Sequence, residues 1–156
     1  MRWDLLEKIE VLDEGRRSGA RRLFHGLEDF FDEHYPGHQV VPETLLVEMI
    51  AQAAGVLVGY ADKFQKEVIL AKISEAKFPV QAEPPCMLLV EARLEEAREE
   101  GAWVFGTVKI KDQVVAEARM LLVRMDKVAG APEGPVVFSD KFLKHHGLTG
   151  PGPERA

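Results

Sequence analysis

The stretch FFDEHYPGHQVVPETLLVEMIAQAAGVLVGY, Phe30 to Tyr60, decides how this chain folds. It opens with an aromatic pair, passes through the turn His34-Tyr35-Pro36-Gly37 and reaches a second proline, Pro42. Proline fixes its own φ and glycine accepts positive φ, so Pro36-Gly37 is a turn with a mechanism. Pro42 suits the first position of a helix, and Glu43 beside it is favourable against the helix dipole. From Leu45 to Ala61 every residue except Glu48 and Gln52 is apolar or small. Those two are four apart, so a helix puts them on one face. A carboxylate in so apolar a run has to find a partner, shift its pKa or do chemistry. Ala51, Gly55 and Gly59 recur every four residues, and that row of small residues predicts close approach of another backbone, as when a sheet wraps a helix.

The flanks of this helix read as strands. Leu5 to Leu12 forms a first strand, Asp13-Glu14-Gly15 and Ser18-Gly19 mark a turn, and Ala20 to Phe24 returns as a second. Arg16, Arg17, Arg21 and Arg22 crowd there and read as a solvated hairpin tip rather than an anion-docking patch. Beyond the helix, Val68 to Ser74 is a strand, followed by the link Glu83-Pro84-Pro85. Leu88, Val90, Ala92 and Leu94 then alternate with outward residues, Val104, Gly106, Val108 and Ile110 share one face, and Val114 to Arg124 closes the meander. A single helix buries its whole circumference only inside a curved sheet, so the order predicts an α+β fold, a curved antiparallel β-sheet wrapped around a long central helix. Residues 1–125 form that domain. Residues 126–156, rich in glycine and proline, read as an extension with at most a short helix at Ser139 to His145, otherwise peripheral or disordered, and His145-His146 have no role in this reading.

With 156 residues, 46% hydrophobic and 29% charged, the chain reads as one soluble domain with a substantial core. A formal charge of −6 argues against nucleic acid, whose phosphates want a basic face. The single cysteine, Cys86, cannot form an internal disulfide, which fits a reducing cytoplasm, and it packs rather than reacts in this reading. The opening MRWDLLEKIE is charged throughout and does not read as a signal peptide. Leu45–Ala61 approaches the roughly 20 apolar residues of a membrane span. Glu48, Gln52 and the charged exit Asp62-Lys63 favour a buried core helix instead, so no membrane insertion is expected. Glu33, His34 and His38 find no further ligand at convincing spacing, so no metal is expected. Trp3 and Trp103 read as packing residues rather than substrate platforms.

Phe30-Phe31, His34-Tyr35-Pro36-Gly37, Val40-Val41-Pro42 and Glu48-Met49-Ile50-Ala51-Gln52-Ala53-Ala54-Gly55 resemble the signature of the β-hydroxyacyl-acyl-carrier-protein dehydratases of the FabA/FabZ type. The likeness is strongest from Asp29 to Val58 and continues more loosely to about Val123. It implies the hotdog fold. It implies dehydration of (3R)-3-hydroxyacyl thioesters to trans-2-enoyl thioesters in fatty acid biosynthesis. It also implies a catalytic pair, His34 and Glu48, meeting from different protomers of a homodimer, with further assembly to a hexamer, a trimer of dimers, left open. The substrate would arrive as an acyl thioester on acyl carrier protein or CoA, with no cofactor. Tyr35, Gly37, Pro42, Glu43 and Gln52 are the substrate-binding residues it suggests, with Gln52 one helical turn from Glu48 and able to orient it.

Three positions depart from the family pattern. Glu43 stands where the family usually has glycine, and a residue there costs roughly 1–2 kcal/mol if the site requires positive φ. The link reads Pro84-Pro85-Cys86 in place of Pro-Gly-Asp, and Pro79-Val80 replace basic residues expected after Phe78. These changes put docking of an acidic carrier in question. They keep open a second class, a weak or inactive paralogue that binds acyl thioesters, beside a thioesterase or enoyl hydratase on the same fold.

Overall fold

The computed structural model describes residues 3–13, 16–126 and 137–148. The expected turn residues Glu14-Gly15 and much of the 126–156 extension lie outside the described residues. Six strands form one antiparallel sheet: β1 (Lys8–Asp13), β2 (Arg17–Phe24), β3 (Glu67–Lys77), β4 (Cys86–Ala97), β5 (Gly101–Ile110) and β6 (Gln113–Met125). Their order is β1-β2-β4-β5-β6-β3, so the strand that follows the central helix α1 (Glu43–Tyr60) lies at the far edge.

Alternation places Leu88, Val90 and Ala92 of β4 inward, with Val104 and Val108 of β5 and Ala116, Ala118, Met120 and Leu122 of β6. Register shifts in β1, β3, β4 and β6, each an extra residue on one strand, bend the sheet around α1. The helix touches every strand from β2 to β6. Leu46, Met49, Ile50 and all of Ala53–Gly59 are buried. By length and hydropathy α1 could cross a bilayer, but more than half of it is already buried, mostly against the sheet. At Gly106 a side chain would collide with Ile50, so this glycine is where the helix sits closest on the sheet. The hydroxyl of Ser18 donates to the Ala53 carbonyl at 2.7 Å, a buried polar tie between β2 and α1.

Four expectations change. Helix α1 begins at Glu43, with Pro42 as its N-cap rather than its first residue, a one-residue difference at a helix end. Ser18 and Gly19 belong to β2, not to a turn, because they pair with Ala92 and Glu91 of β4. The arginines lie along that strand: Arg17 meets Glu91 at 3.4 Å, Arg21 meets Glu10 at 3.2 Å, and Arg22 covers the ring of Phe24. The row of small residues on α1 receives aromatic rings rather than backbone, Phe138 on Gly55 and Phe64 on Gly59.

The C-terminal segment is the source of one of those rings. Val137 to Leu148 carries a short helix, α2 (Asp140–His145), capped by Ser139 Oγ, which accepts from the Phe142 N–H at 3.3 Å. Phe138, Phe142 and Leu143 are buried in the same core as α1. Rather than lying at the periphery, these residues pack onto α1, with Phe138 against Gly55.

Candidate active site

Phe31 anchors the loop that carries His34. It is buried edge-on to Phe24 at 6.1 Å and against Phe30 at 4.5 Å, within a 3-10 turn over Asp29–Asp32. The His34 N–H donates to the Phe30 carbonyl at 3.1 Å, which fixes where the imidazole leaves the chain. Tyr35–His38 then closes a β-turn, with the His38 N–H on the Tyr35 carbonyl at 3.0 Å and Gly37 at φ +79° in the position that demands it. The His34–Tyr35 peptide bond is cis, and the two rings stack at 4.5 Å. The Val41 N–H donates to the Ala82 carbonyl at 2.7 Å, tying the loop to the segment before β4.

These residues enclose a cavity of about 150 Å³, lined by His34, Tyr35, Pro42, Glu43, Val80 and Ala82 among others. No side chain caps the first turn of α1. Leu45 and Leu46 donate back to the Pro42 carbonyl, whereas Glu43 and Thr44, two residues that also line the cavity, have amides with no acceptor within the helix. Glu43 has an ordinary negative φ, so the strain expected from replacing glycine does not arise. Outside the cavity lining, His38 faces Glu83 at 3.7 Å, and Lys77 is engaged by Glu75 at 2.9 Å.

Glu48 opens into a different cavity, of about 250 Å³, whose polar end is Trp3, Asp4, Glu48 and Gln52. Gln52 Nε2 donates to Glu48 Oε1 at 2.9 Å and to the Trp3 carbonyl at 2.7 Å, while its Oε1 accepts from the Leu5 N–H at 2.9 Å. The carboxylate is thus oriented by an amide that is itself pinned on both sides. The expectation that the apolar helix would desolvate Glu48 is not met within one protomer. Its sequence neighbours Met49 and Ile50 point into the sheet, and Glu48 lies on the exposed face.

Asp4 extends the network. Its Oδ2 lies 2.9 Å from His146 Nε2, with only 9% and 1% of the two side chains exposed, and its Oδ1 accepts from the Leu6 N–H at 3.1 Å. Burial pushes the Asp4 carboxyl up, but the hydrogen bond and charge of His146 and the Leu6 amide outweigh it and hold the group below its ordinary 3.8. His146, dismissed from sequence, therefore ties the C-terminus to the N-terminus. Among the described residues Asp4, His145 and His146 are the one group whose ligand atoms approach one another, within 4.8 Å. Trp3 also departs from its expected packing role. It is 67% exposed and stands at the mouth of the Glu48 cavity. Trp103 lies under the guanidinium of Arg119 at 4.4 Å. Cys86 is buried, and that burial, with the nearby charge of Glu28, pushes its thiol up to about 11, so it carries no thiolate near neutral pH.

Sequence reasoning thus located His34, Glu48 and Gln52 but not Asp4, Phe138, Phe142 or His146. A signal for the last three was present, aromatic side chains four apart around Ser139, a good N-cap residue.

The chain thus has two separate cavities, one with an imidazole near the first turn of α1 and one with a braced carboxylate beside an apolar wall. Known proteins resemble this chain over most of its length. The chain is 34% identical over 127 residues to the 3-hydroxyacyl-[acyl-carrier-protein] dehydratase FabZ of Chlamydia trachomatis, covering 79% of this chain and 83% of that one. It is 30% identical over 122 residues to the FabZ of Lactobacillus helveticus, covering 78% and 82%. Among solved structures, the dehydratase heterocomplex ApeI:P of Xenorhabdus doucetiae superposes with a TM-score of 0.66 at 18% identity, over 80% of this chain and 85% of that one, which shows the shared hotdog fold. Residues 3–119 match the FabA-like domain, and with the His34 turn and the Glu48 helix both inside that span, the chain belongs to the FabA-like family of hotdog proteins.

Proposed function

We propose that the protein is a 3-hydroxyacyl-[acyl-carrier-protein] dehydratase of fatty acid biosynthesis, with His34 of one protomer and Glu48 of its partner as the catalytic pair. The supporting observation is that His34 and Glu48 line separate cavities of the same chain. The two cavities hold different groups. The His34 cavity has a base, the first turn of α1 and the carboxylate of Glu43, and the Glu48 cavity has a carboxylate braced by Gln52 and a longer apolar wall, with no imidazole among the described residues that line it.

The chemistry follows from the residue types. A neutral imidazole takes the C2 proton of the thioester near neutral pH. The C2 electron pair forms the C2–C3 double bond as the C3–O bond breaks, and the Glu48 carboxyl gives its proton to the departing hydroxyl, releasing water. One proton then returns from imidazolium to carboxylate through solvent. The enolate-like charge on the thioester oxygen needs donors that do not titrate, and the Glu43 and Thr44 amides meet that need. A partner that covers Glu48 would also supply the desolvation that a carboxyl acid needs at neutral pH.

A second copy has a place to dock. β3 is an eleven-residue edge strand that exposes Ile69, Leu70 and Ile73. An edge so long and apolar is normally paired. Antiparallel pairing of β3 with its copy forms the homodimer in this reading, and hexamer formation would require further contacts. Tyr35 and Gly37 shape the entry beside His34, and Pro42 sets the helix start. The handle is acyl carrier protein or CoA, and the reaction is placed in a reducing cytoplasm.

The decisive experiment incubates the protein with 3-hydroxyacyl thioesters of both handles and follows enoyl absorbance. Enoyl formation that depends on His34 supports the reading. Free-thiol release without enoyl product, or no turnover on either handle, overturns it.

A further inference from the structure

We infer that Phe138, with Phe142 packed beside it, both carried by the C-terminal segment beyond the family-defining span of residues 3–119, limits the Glu48 cavity at Gly55 and sets the length of acyl chain the enzyme accepts. The inference rests on the dehydratase reading for its substrate, but its structural basis is separate.

The cavity has a polar end and an apolar one. Away from Glu48 its walls are Ala51 and Gly55 of α1, Val68 and Leu70 of β3, and Leu122 of β6. Phe138 lies against Gly55, and Phe142 lies between Phe138 and His146, its ring 5.1 Å from the first and 4.5 Å from the second. The ring of Phe138 lies in the groove left by Gly55, where an added Cβ would come within 2.6 Å of it. Gly55 is seven residues beyond Glu48, about 10 Å along the helix axis. A cavity of about 150 Å³ holds a benzene ring. The 250 Å³ here therefore takes a chain of roughly ten carbons at most. The exposed carboxylate of Glu48 in the lining disfavours phosphate or another anion, whereas an alkyl chain continuing from a thioester held at Glu48 meets apolar surface along Ala51, Gly55, Val68, Leu70 and Leu122.

The closure is held at several points. Phe138 packs against Phe64 at 5.6 Å and Phe142 at 5.1 Å, the Val137 N–H donates to Glu67 at 3.0 Å, and His146 holds Asp4 at 2.9 Å. Phe64, Glu67 and His146 do not line the cavity, so the segment that carries both rings is held in part from outside it, as a length-setting floor must be.

The test measures kcat/KM on 3-hydroxyacyl-CoA from about four to about sixteen carbons for the full chain and for Phe138→Leu and Phe142→Leu, each checked by thermal melting. Leucine keeps an apolar anchor while shortening the floor. The long-to-short preference should rise by about tenfold or more in at least one variant, since each methylene accommodated or refused changes specificity by about that factor. Folded variants with the parent's length profile would overturn the inference. Binding of saturated acyl-CoA, titrated by calorimetry on the same proteins, separates the two claims. If no chain length is dehydrated but the variants still shift the longest chain bound, the floor stands and the dehydratase reading falls. If the parent dehydrates and neither profile moves, the floor falls alone.

Discussion

The two cavities at either end of the catalytic assignment are built in opposite ways. The His34 cavity is drawn largely from one continuous run, His34 to Leu46, closed by Val80, Gln81 and Ala82. The Glu48 cavity gathers Trp3 and Asp4, one face of α1, two edge-side strands and the C-terminal Phe138 and Phe142. A local site depends on turn geometry and a helix start, both of which short-range physics dictates. A site assembled from both chain ends depends on the whole sheet being in place. The first should therefore be chemically critical yet forgiving in stability, and the second should couple catalysis to folding.

The largest expected effect tests whether the halves work together. His34→Ala and Glu48→Gln should each lower kcat/KM by about 10² to 10⁴, the range for losing a general acid or base. Mixing the two inactive variants under subunit exchange should restore about a quarter of the parent activity, because half the dimers then hold one intact composite site. No recovery despite demonstrated exchange would place both residues in one protomer's site and dissolve the contrast.

Next comes stability. Phe138→Ala should cost about 3 kcal/mol in denaturant unfolding, since the ring fills the groove at Gly55 and touches two other aromatic rings. Val80→Ala, at an exposed position in the His34 cavity, should stay within about 0.5 kcal/mol. Equal costs at the two positions would erase the difference in construction.

A smaller effect follows from pH. The Asp4 carboxyl is held below its ordinary 3.8, so the folded state favours the charged form more than the unfolded state does. Its contribution is complete above that ordinary value and is lost as pH falls through the lower folded value. Asp4→Asn should therefore flatten the acid limb of stability measured from neutral pH down to about pH 3. An unchanged limb would mean that the link between the chain ends carries no free energy.

The smallest expected change sharpens the role of Glu43. Its carboxylate faces the cavity whose amides receive the enolate charge in the proposed mechanism, so Glu43→Gln should raise kcat/KM by up to about fivefold, the effect of roughly 1 kcal/mol between screened charges. A hundredfold loss would instead make Glu43 the acid and return the chemistry to a single cavity.

How far each half could be read from sequence follows the same division. His34, the Pro36-Gly37 turn and the Glu48–Gln52 pair were legible because proline, glycine and a four-residue helical spacing fix geometry within a few bonds. The strand alternation of β4 and β5 was legible for a similar reason, since period two shows one face directly. The filling of the Gly55 groove was not, because a small residue states only that something comes close. Which group comes, backbone or the ring of Phe138, depends on contacts between residues more than eighty positions apart.

The sequence by itself determined the identity of the chemical groups, the turn that presents the imidazole and the helix face that presents the carboxylate, because these are local constraints on φ, ψ and side-chain direction. Only the tertiary structure decided that Glu48 faces outward, that His146 holds Asp4, and that the C-terminal rings lie against α1. Burial and pairing at a distance are settled by how the sheet curves, which no stretch of sequence carries alone.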